Sequence, residues 1–207
     1  MLNNRTAIGG TEMDKKEIQR QRMMTYFIDA AKEILREEGV KGLSARKVGD
    51  RAGYSYATIY NYFKDLNELL VYCTFDYLED CYQYLTKYKK DSLNAKEQLM
   101  VYTIAYFKYF AENPDTFQLV FVEEIGNPPE ELLQNRSIPS VAKLLGESIM
   151  ECAKAGYISE DAVDTLGELI ASSVHGKLLF YINRRTTEEE EDIIKLIRSE
   201  VEFLIKK

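Results

Sequence analysis

The stretch LSARKVGDRAGYSYATIYNYFKDLNELL, residues 43–70, reads as two short helices with a glycine turn between them, followed by the start of a longer helix. Ser44 can cap a helix that turns Ala45, Val48 and Ala52 inward, because a serine oxygen accepts from an otherwise unpaired first-turn N–H. Gly53 then permits the left-handed backbone that ends a helix without a Cβ clash. Ser55 can cap a second helix, 56–63, and Asp65 with Glu68 forms a capping box for a third. Two short helices joined by a tight turn have the geometry of a helix-turn-helix DNA reader.

The second short helix carries the chemistry such a reader needs. Ile59 and Phe63 are four apart and can face a core. Tyr56, Ala57, Thr58, Tyr60, Asn61 and Tyr62 supply a methyl, hydroxyls and an amide, groups that donate to phosphates, pair with base edges or touch a thymine methyl. Arg46 and Lys47 stand near the turn, where a phosphate or guanine can be met. Tyr60 and Tyr62 have a second reading, as packing for the three-helix unit, and for Tyr62 both readings stay open.

At these residues the chain resembles the tetracycline-repressor (TetR) family of bacterial transcription regulators. The family's pattern stands here as Ala52-Gly53-Tyr54-Ser55 and Tyr60-Asn61-Tyr62-Phe63, and the resemblance runs from about Met23 to Leu70. It implies that Ser44 and Arg46 meet backbone and a base from the first short helix. Ser55, Tyr56, Ala57 and Thr58 would enter or flank the major groove, and Tyr60, Asn61 and Tyr62 would hold phosphates and flanking bases. The chain departs from the family twice. Ala57 stands where the family often has Gly. Leu66 stands where it usually has a phosphate-gripping Lys, and Lys64 is the alternative candidate for that contact.

Charge divides along the same line. The chain of 207 residues has a net charge of −7, yet residues 1–64 hold 12 Lys/Arg against 8 Asp/Glu, and residues 65–207 hold 15 against 26. Phosphate binding needs only a local basic face, and an acidic remainder would keep DNA docked in one orientation. No run of eighteen apolar residues appears, so no membrane span is expected. Residues 1–13 lack the apolar core of a signal peptide and read as a flexible polar arm. Cys73, Cys81 and Cys152, odd in number and without metal spacing, fit reduced thiols in a cytoplasmic protein.

The remainder reads as helix after helix, giving an all-α chain of about nine. The expected organisation is a flexible arm (1–14), a three-helix helix-turn-helix domain (15–64) and a helical effector-binding and dimerisation domain (65–207). Capping pairs are expected at Asp14/Glu17, Asn94/Glu97 and Thr187/Glu190, a further cap at Ser159, and breaks at Gly39, Asn113-Pro114, 126–129, Pro139 and Gly156. The eighth helix, to about Arg185, carries Val163, Ile170, Val174, Leu178 and Tyr181 among small residues. The ninth offers Ile193, Ile194, Ile197, Val201 and Leu204. Two such helices from each of two subunits can form a four-helix homodimer interface, where the resemblance also puts it; the alternative is that these stripes complete the core of one subunit. A dimer would read a double-stranded, roughly palindromic operator.

Aromatics suggest sensing. Fifteen Tyr and nine Phe occur with no Trp, and many sit on helices four to six. A cavity walled by rings and a few hydroxyls suits a small, mainly apolar effector. Tyr102, Tyr106, Phe110 and Phe121 are the candidates, with the single histidine, His175, pointing into the cavity, across the dimer interface, or serving structure. The resemblance places an effector pocket between the fourth and eighth helices and implies a repressor released when the effector shifts the fourth helix. No catalytic set, cofactor motif or metal-ligand cluster is present, so neither an enzyme nor a cofactor is implied. The competing reading is a helical ligand-binding or scaffold protein with a degenerate reader, which Leu66 would favour.

Overall fold

In the computed structural model residues 15–130, 132 and 140–205 are described. Among them the chain forms nine α-helices and two short 3-10 turns, with no strand. The expected arm (1–14), the cap by Asp14 and the break at Pro139 lie outside the described residues. The helices are α1 (Lys15–Glu38), α2 (Ala45–Ala52), α3 (Tyr56–Ile59), α4 (Leu66–Thr86), α5 (Ala95–Glu112), α6 (Pro114–Phe121), α7 (Ser140–Lys154), α8 (Val163–Ile182) and α9 (Glu190–Leu204). Two compact units result, one ending at Leu69 and the other beginning at Leu70, so the division falls inside α4 rather than at its start.

The first unit is organised on Phe27. Met24, Phe27, Ile28, Ala31 and Leu35 form the buried stripe of α1, spaced so that one helical face is apolar. Tyr54, Tyr62 and Phe63 bring their rings to 5.6, 5.7 and 6.4 Å from Phe27. Val48 of α2 and Ile59 of α3 are fully buried. Gly53 has φ +77°. Tyr54 N–H donates to the Gly49 carbonyl at 2.9 Å and Gly53 N–H to Asp50 at 3.4 Å, the paired bonds of a Schellman ending that left-handed glycine makes available.

In the second unit α5 is the central helix, packing on α7, α8 and α9 and leading into α6. Its buried residues, from Leu99 to Phe110, occupy most of its circumference, as expected of a helix enclosed on all sides. Asn94 caps it: its side chain accepts from Glu97 N–H at 2.9 Å while the Glu97 carboxylate accepts from Asn94 N–H at 3.0 Å.

Several local expectations are corrected. The second reader helix stops at Ile59 rather than Phe63, and the chain continues in tight turns, Asn61 N–H to Thr58 and Tyr62 N–H to Ile59. Such three-residue bonds satisfy carbonyls at a helix end without another α-turn. The Ser55 and Thr58 hydroxyls hydrogen-bond to each other (2.9 Å), and Ser55 caps no backbone N–H. Glu68 accepts from the Lys64 N–H, while Asp65 accepts from Glu68 N–H at 2.9 Å, so the expected box is shifted by one residue. No side chain caps α8 or α9; Ser159 opens a 3-10 turn, and Thr186, not Thr187, makes the bonds before α9. The eighth helix ends at Ile182, where Arg184 adopts φ +52°.

The stripes offered for association belong to the core of one subunit. Val163, Ile170, Val174 and Leu178 of α8, with Ile193, Ile197 and Val201 of α9, are buried within it. A different set stays exposed on the same helices: Leu169, Leu179 and Phe180 on α8, Leu196 and Phe203 on α9.

Candidate nucleic-acid interface and effector cavity

The reader presents its second helix outward. Ile59 and Phe63 are held inside, which leaves Tyr56 (60 % exposed), Ala57, Tyr60 (50 % exposed) and Asn61 on the surface. Thr58 is half-buried with its hydroxyl tied to Ser55. Tyr62 is half-buried with its ring on Phe27, so it packs the unit while keeping an exposed edge. On α2, Ser44 caps the helix by accepting from Lys47 N–H at 3.3 Å. Arg46 stands out with its side chain 87 % exposed and only a long, 3.9 Å approach to Asp50. Lys47 pairs with Glu38, so of the two basic residues near the turn Arg46 is the more available. Lys64 is exposed, and Leu66 is half-buried in the first turn of α4.

Arg51 is taken by structure. Its guanidinium meets Glu37 at 2.7 and 3.0 Å and Glu33 at 3.1 Å, and the paired hydrogen bonds from Arg51 hold the Glu37 carboxyl below its ordinary range. This pairing ties α2 to α1 behind the reading face.

Sequence reasoning missed Gly49. It is buried within α2, and a Cβ there would lie 2.8 Å from the Tyr54 carbonyl oxygen, 2.9 Å from Tyr56 N and 3.0 Å from Tyr56 Cα. The backbone entering α3 therefore rests directly on this glycine. A glycine inside a helical pattern, where it is normally unfavourable, was the available signal.

The second unit holds a cavity of about 360 Å³. Leu78 of α4, Leu99, Thr103 and Tyr106 of α5, and Phe121 at the end of α6 form part of its wall. Val141, Ala142, Leu145, Gly146 and Ile149 of α7 and Gly167, Ile170, Ala171, Val174 and His175 of α8 complete it. Of the five candidates, Tyr106, Phe121 and His175 line it. Phe110 lies one layer behind, its ring 4.9 Å from Tyr106 and 5.3 Å from Phe121. Tyr102 is buried but is not among the lining residues. The aliphatic wall from α7 was not among the candidates because Ala142, Leu145 and Ile149 are neither aromatic nor polar, the two signals on which the candidates rested.

Polar groups in the cavity are few. Thr103 gives its hydroxyl to the Leu99 carbonyl at 2.8 Å. Tyr106 Oη and His175 Nε2 are 2.7 Å apart, with the His175 ring 4.4 Å from Phe121 and 6.0 Å from Phe117. Burial lowers the His175 pKa below its ordinary value, partly countered by Glu168. Burial, aided by the nearby Cys81, raises that of the Tyr106 phenol. Both groups are thus neutral near pH 7.

The family model for bacterial regulatory proteins of the tetR family matches residues 27–73, the reader and the start of α4. The fatty acid metabolism regulator protein of Bacillus subtilis (strain 168) is 23 % identical over 190 residues, covering 90 % of this chain and 96 % of that protein. The transcriptional regulator FadR from Bacillus subtilis, solved in complex with stearoyl-CoA, superposes with a TM-score of 0.64 at 22 % identity, over 87 % of this chain and 97 % of that one. BioQ, solved with its double-stranded DNA operator, superposes with a TM-score of 0.59 at 17 % identity, over 86 % and 96 %. Among the described residues no helix is long and apolar enough to cross a membrane. The chain therefore carries a reader that matches the tetR family's model over residues 27–73 and shares the fold of these regulators over 86–87 % of its length.

Proposed function

We propose that this protein is a repressor that binds a palindromic operator as a homodimer and is released by a small, mainly apolar effector. The observation that carries the reading is the coexistence of an outward reader helix with a separate, apolar-walled cavity touching α4 at Leu78. Tyr56, Ala57, Tyr60 and Asn61 are its base and phosphate contacts. Arg46 and Lys64 supply charge, and Ser44, Ser55, Thr58 and Tyr62 position the backbone that presents them. BioQ, which shares the fold and was solved with its double-stranded DNA operator, supports DNA as the partner.

Dimerisation is assigned to the exposed apolar residues of α8 and α9, chiefly Leu169, Phe180, Leu196 and Phe203. Such residues on two adjacent helices make a patch that a second copy would cover. A dimer is needed because one α3 spans too few base pairs for specificity. Phe180→Lys is expected to give a monomer that remains helical, since Phe180 is more than half exposed on α8 and lies outside the buried core.

Effector action is a two-state coupling. A ligand filling the cavity presses on Leu78, and α4 continues without interruption from there back to the reader's capping residues, Asp65 and Glu68. The ligand alters operator affinity only by its differential affinity for the two states, about 1–3 kcal/mol in typical couplings. The stearoyl-CoA complex of a similarly folded regulator supports an apolar occupant.

The test is a mobility-shift titration on the DNA upstream of the protein's own gene, beside a scrambled duplex, across a salt series. A saturable shift on the native fragment, weakening with salt and lost in Tyr56→Ala, is expected. Equal affinity for both duplexes, at every fragment of the surrounding genes tried, would favour the scaffold reading.

A further inference from the structure

We propose that the cavity selects an uncharged ligand head, one acceptor oxygen on an apolar body, and discriminates against the carboxylate of the same chain length. This rests on the reading of the cavity as the effector site and narrows the class of molecule it takes.

The argument begins with proton counting. A neutral tyrosine and a neutral histidine carry two mobile protons between Oη and the ring nitrogens. One lies in the 2.7 Å bond between Tyr106 Oη and His175 Nε2. The other remains on Tyr106 or His175 in either tautomer, so the pair has one donor left over. Thr103, the other hydroxyl in the wall, already donates to Leu99. An ester, thioester, amide or ketone oxygen needs one donor to be satisfied. A carboxylate entering the same space has two oxygens and a full charge to desolvate, and among the described residues no Lys or Arg lines the cavity to meet them. The charge of nearby Glu168 further disfavours an anion. An unpaired charge in an apolar site is far more costly than an unmade neutral hydrogen bond.

The shape agrees. Small residues, Ala142 and Gly146 on α7 with Gly167 and Ala171 on α8, leave space between the two helices. No atom lies within 4 Å of where a Cβ on Gly146 would stand. The body of the ligand would lie along aliphatic side chains, with its one polar atom at Tyr106–His175.

The experiment uses the full-length protein and displacement of the neutral, apolar dye N-phenyl-1-naphthylamine at pH 8 by decane, methyl decanoate and decanoate. Methyl decanoate is expected to displace the dye at a concentration lower than decanoate by roughly tenfold or more. In the double variant Tyr106→Phe/His175→Phe the advantage of the ester over decane should shrink about fivefold or more, because both protons are gone, whereas each single variant frees its remaining proton from the 2.7 Å bond and should keep most of the advantage. Unchanged displacement by decane in those variants shows the cavity intact. Decanoate binding as tightly as the ester overturns the proposal while leaving the cavity as an effector site. Failure of the dye and all three probes to bind overturns both.

Discussion

Gly49→Ala should destabilise the reader although the same substitution in most helices does the opposite. Within a helix interior alanine is favoured over glycine by roughly 0.5–1 kcal/mol. At Gly49 the added methyl would stand 2.8–3.0 Å from three backbone atoms of Tyr54 and Tyr56. Backbone cannot rotate aside as a flexible side chain can, so the relief must come from moving the start of α3 away from α2. That movement strains the 2.9 Å bond from Tyr54 N–H to the Gly49 carbonyl and loosens Tyr54 from Phe27. Overpacking of this kind costs about 1–3 kcal/mol, so the net loss is roughly 1–2 kcal/mol after the propensity gain. Gly146→Ala on α7 is the control: no atom lies within 4 Å of its Cβ, and it should gain the full roughly 0.5–1 kcal/mol. Urea unfolding followed by circular dichroism measures both, and operator titration reports the displaced α3 as weakened binding. A Gly49→Ala protein as stable as its parent, with unchanged operator affinity, would refute the idea that this glycine seats the reader.

Further expectations concern reader, caps and cavity. Tyr60→Phe removes one exposed hydroxyl and should weaken operator binding with stability unchanged within about 0.5 kcal/mol, as read by mobility shift beside a thermal melt. Asn94→Ala breaks both bonds of the α5 capping box and should cost about 1 kcal/mol in urea titration. Arg184→Gly relieves a left-handed residue after α8 and should raise stability by about 0.5–1 kcal/mol in the same assay. His175, whose ordinary value is 6.5, is held lower in the fold by burial. Below that pH the unfolded chain takes up a proton that the folded chain resists, so its contribution, complete above the ordinary value, is lost as pH falls toward the folded one. With a single histidine in the chain, His175→Phe should flatten the stability curve below about pH 6.5; an unaltered slope would mean that the ring is solvated.

The reader was legible in the sequence because its signals are local. Ser44, Gly53, Asp65 and the Met24-to-Leu35 stripe each act within a few residues, and caps and periodicity are short-range physics. What failed locally was a competition among near-equal choices. Thr58 drew the Ser55 oxygen from the backbone, and the turn into Lys64 ended α3 early. Distant partners were not legible. The pattern of α8 and α9 showed which residues are apolar but not which face meets α5, so Ile193, Ile197 and Val201 stood for an interface although they close a core. The aromatic search reached Tyr106, Phe121 and His175, whereas Tyr102 and Phe110 share their composition but not their facing. Only the three-dimensional arrangement separates them.

The one-turn length of α3 has an evolutionary corollary. Ile59 and Phe63 anchor it, Gly49 seats it, and Tyr56, Ala57, Tyr60 and Asn61 contribute little to what keeps the unit folded. Those four positions can therefore change with small effect on stability. Under the proposed function, a duplicated gene could move to a new operator by substitutions confined to residues 56–61, while the inherited cavity continued to answer the same chemical signal. On that reading, regulatory wiring and ligand sensing are separately mutable.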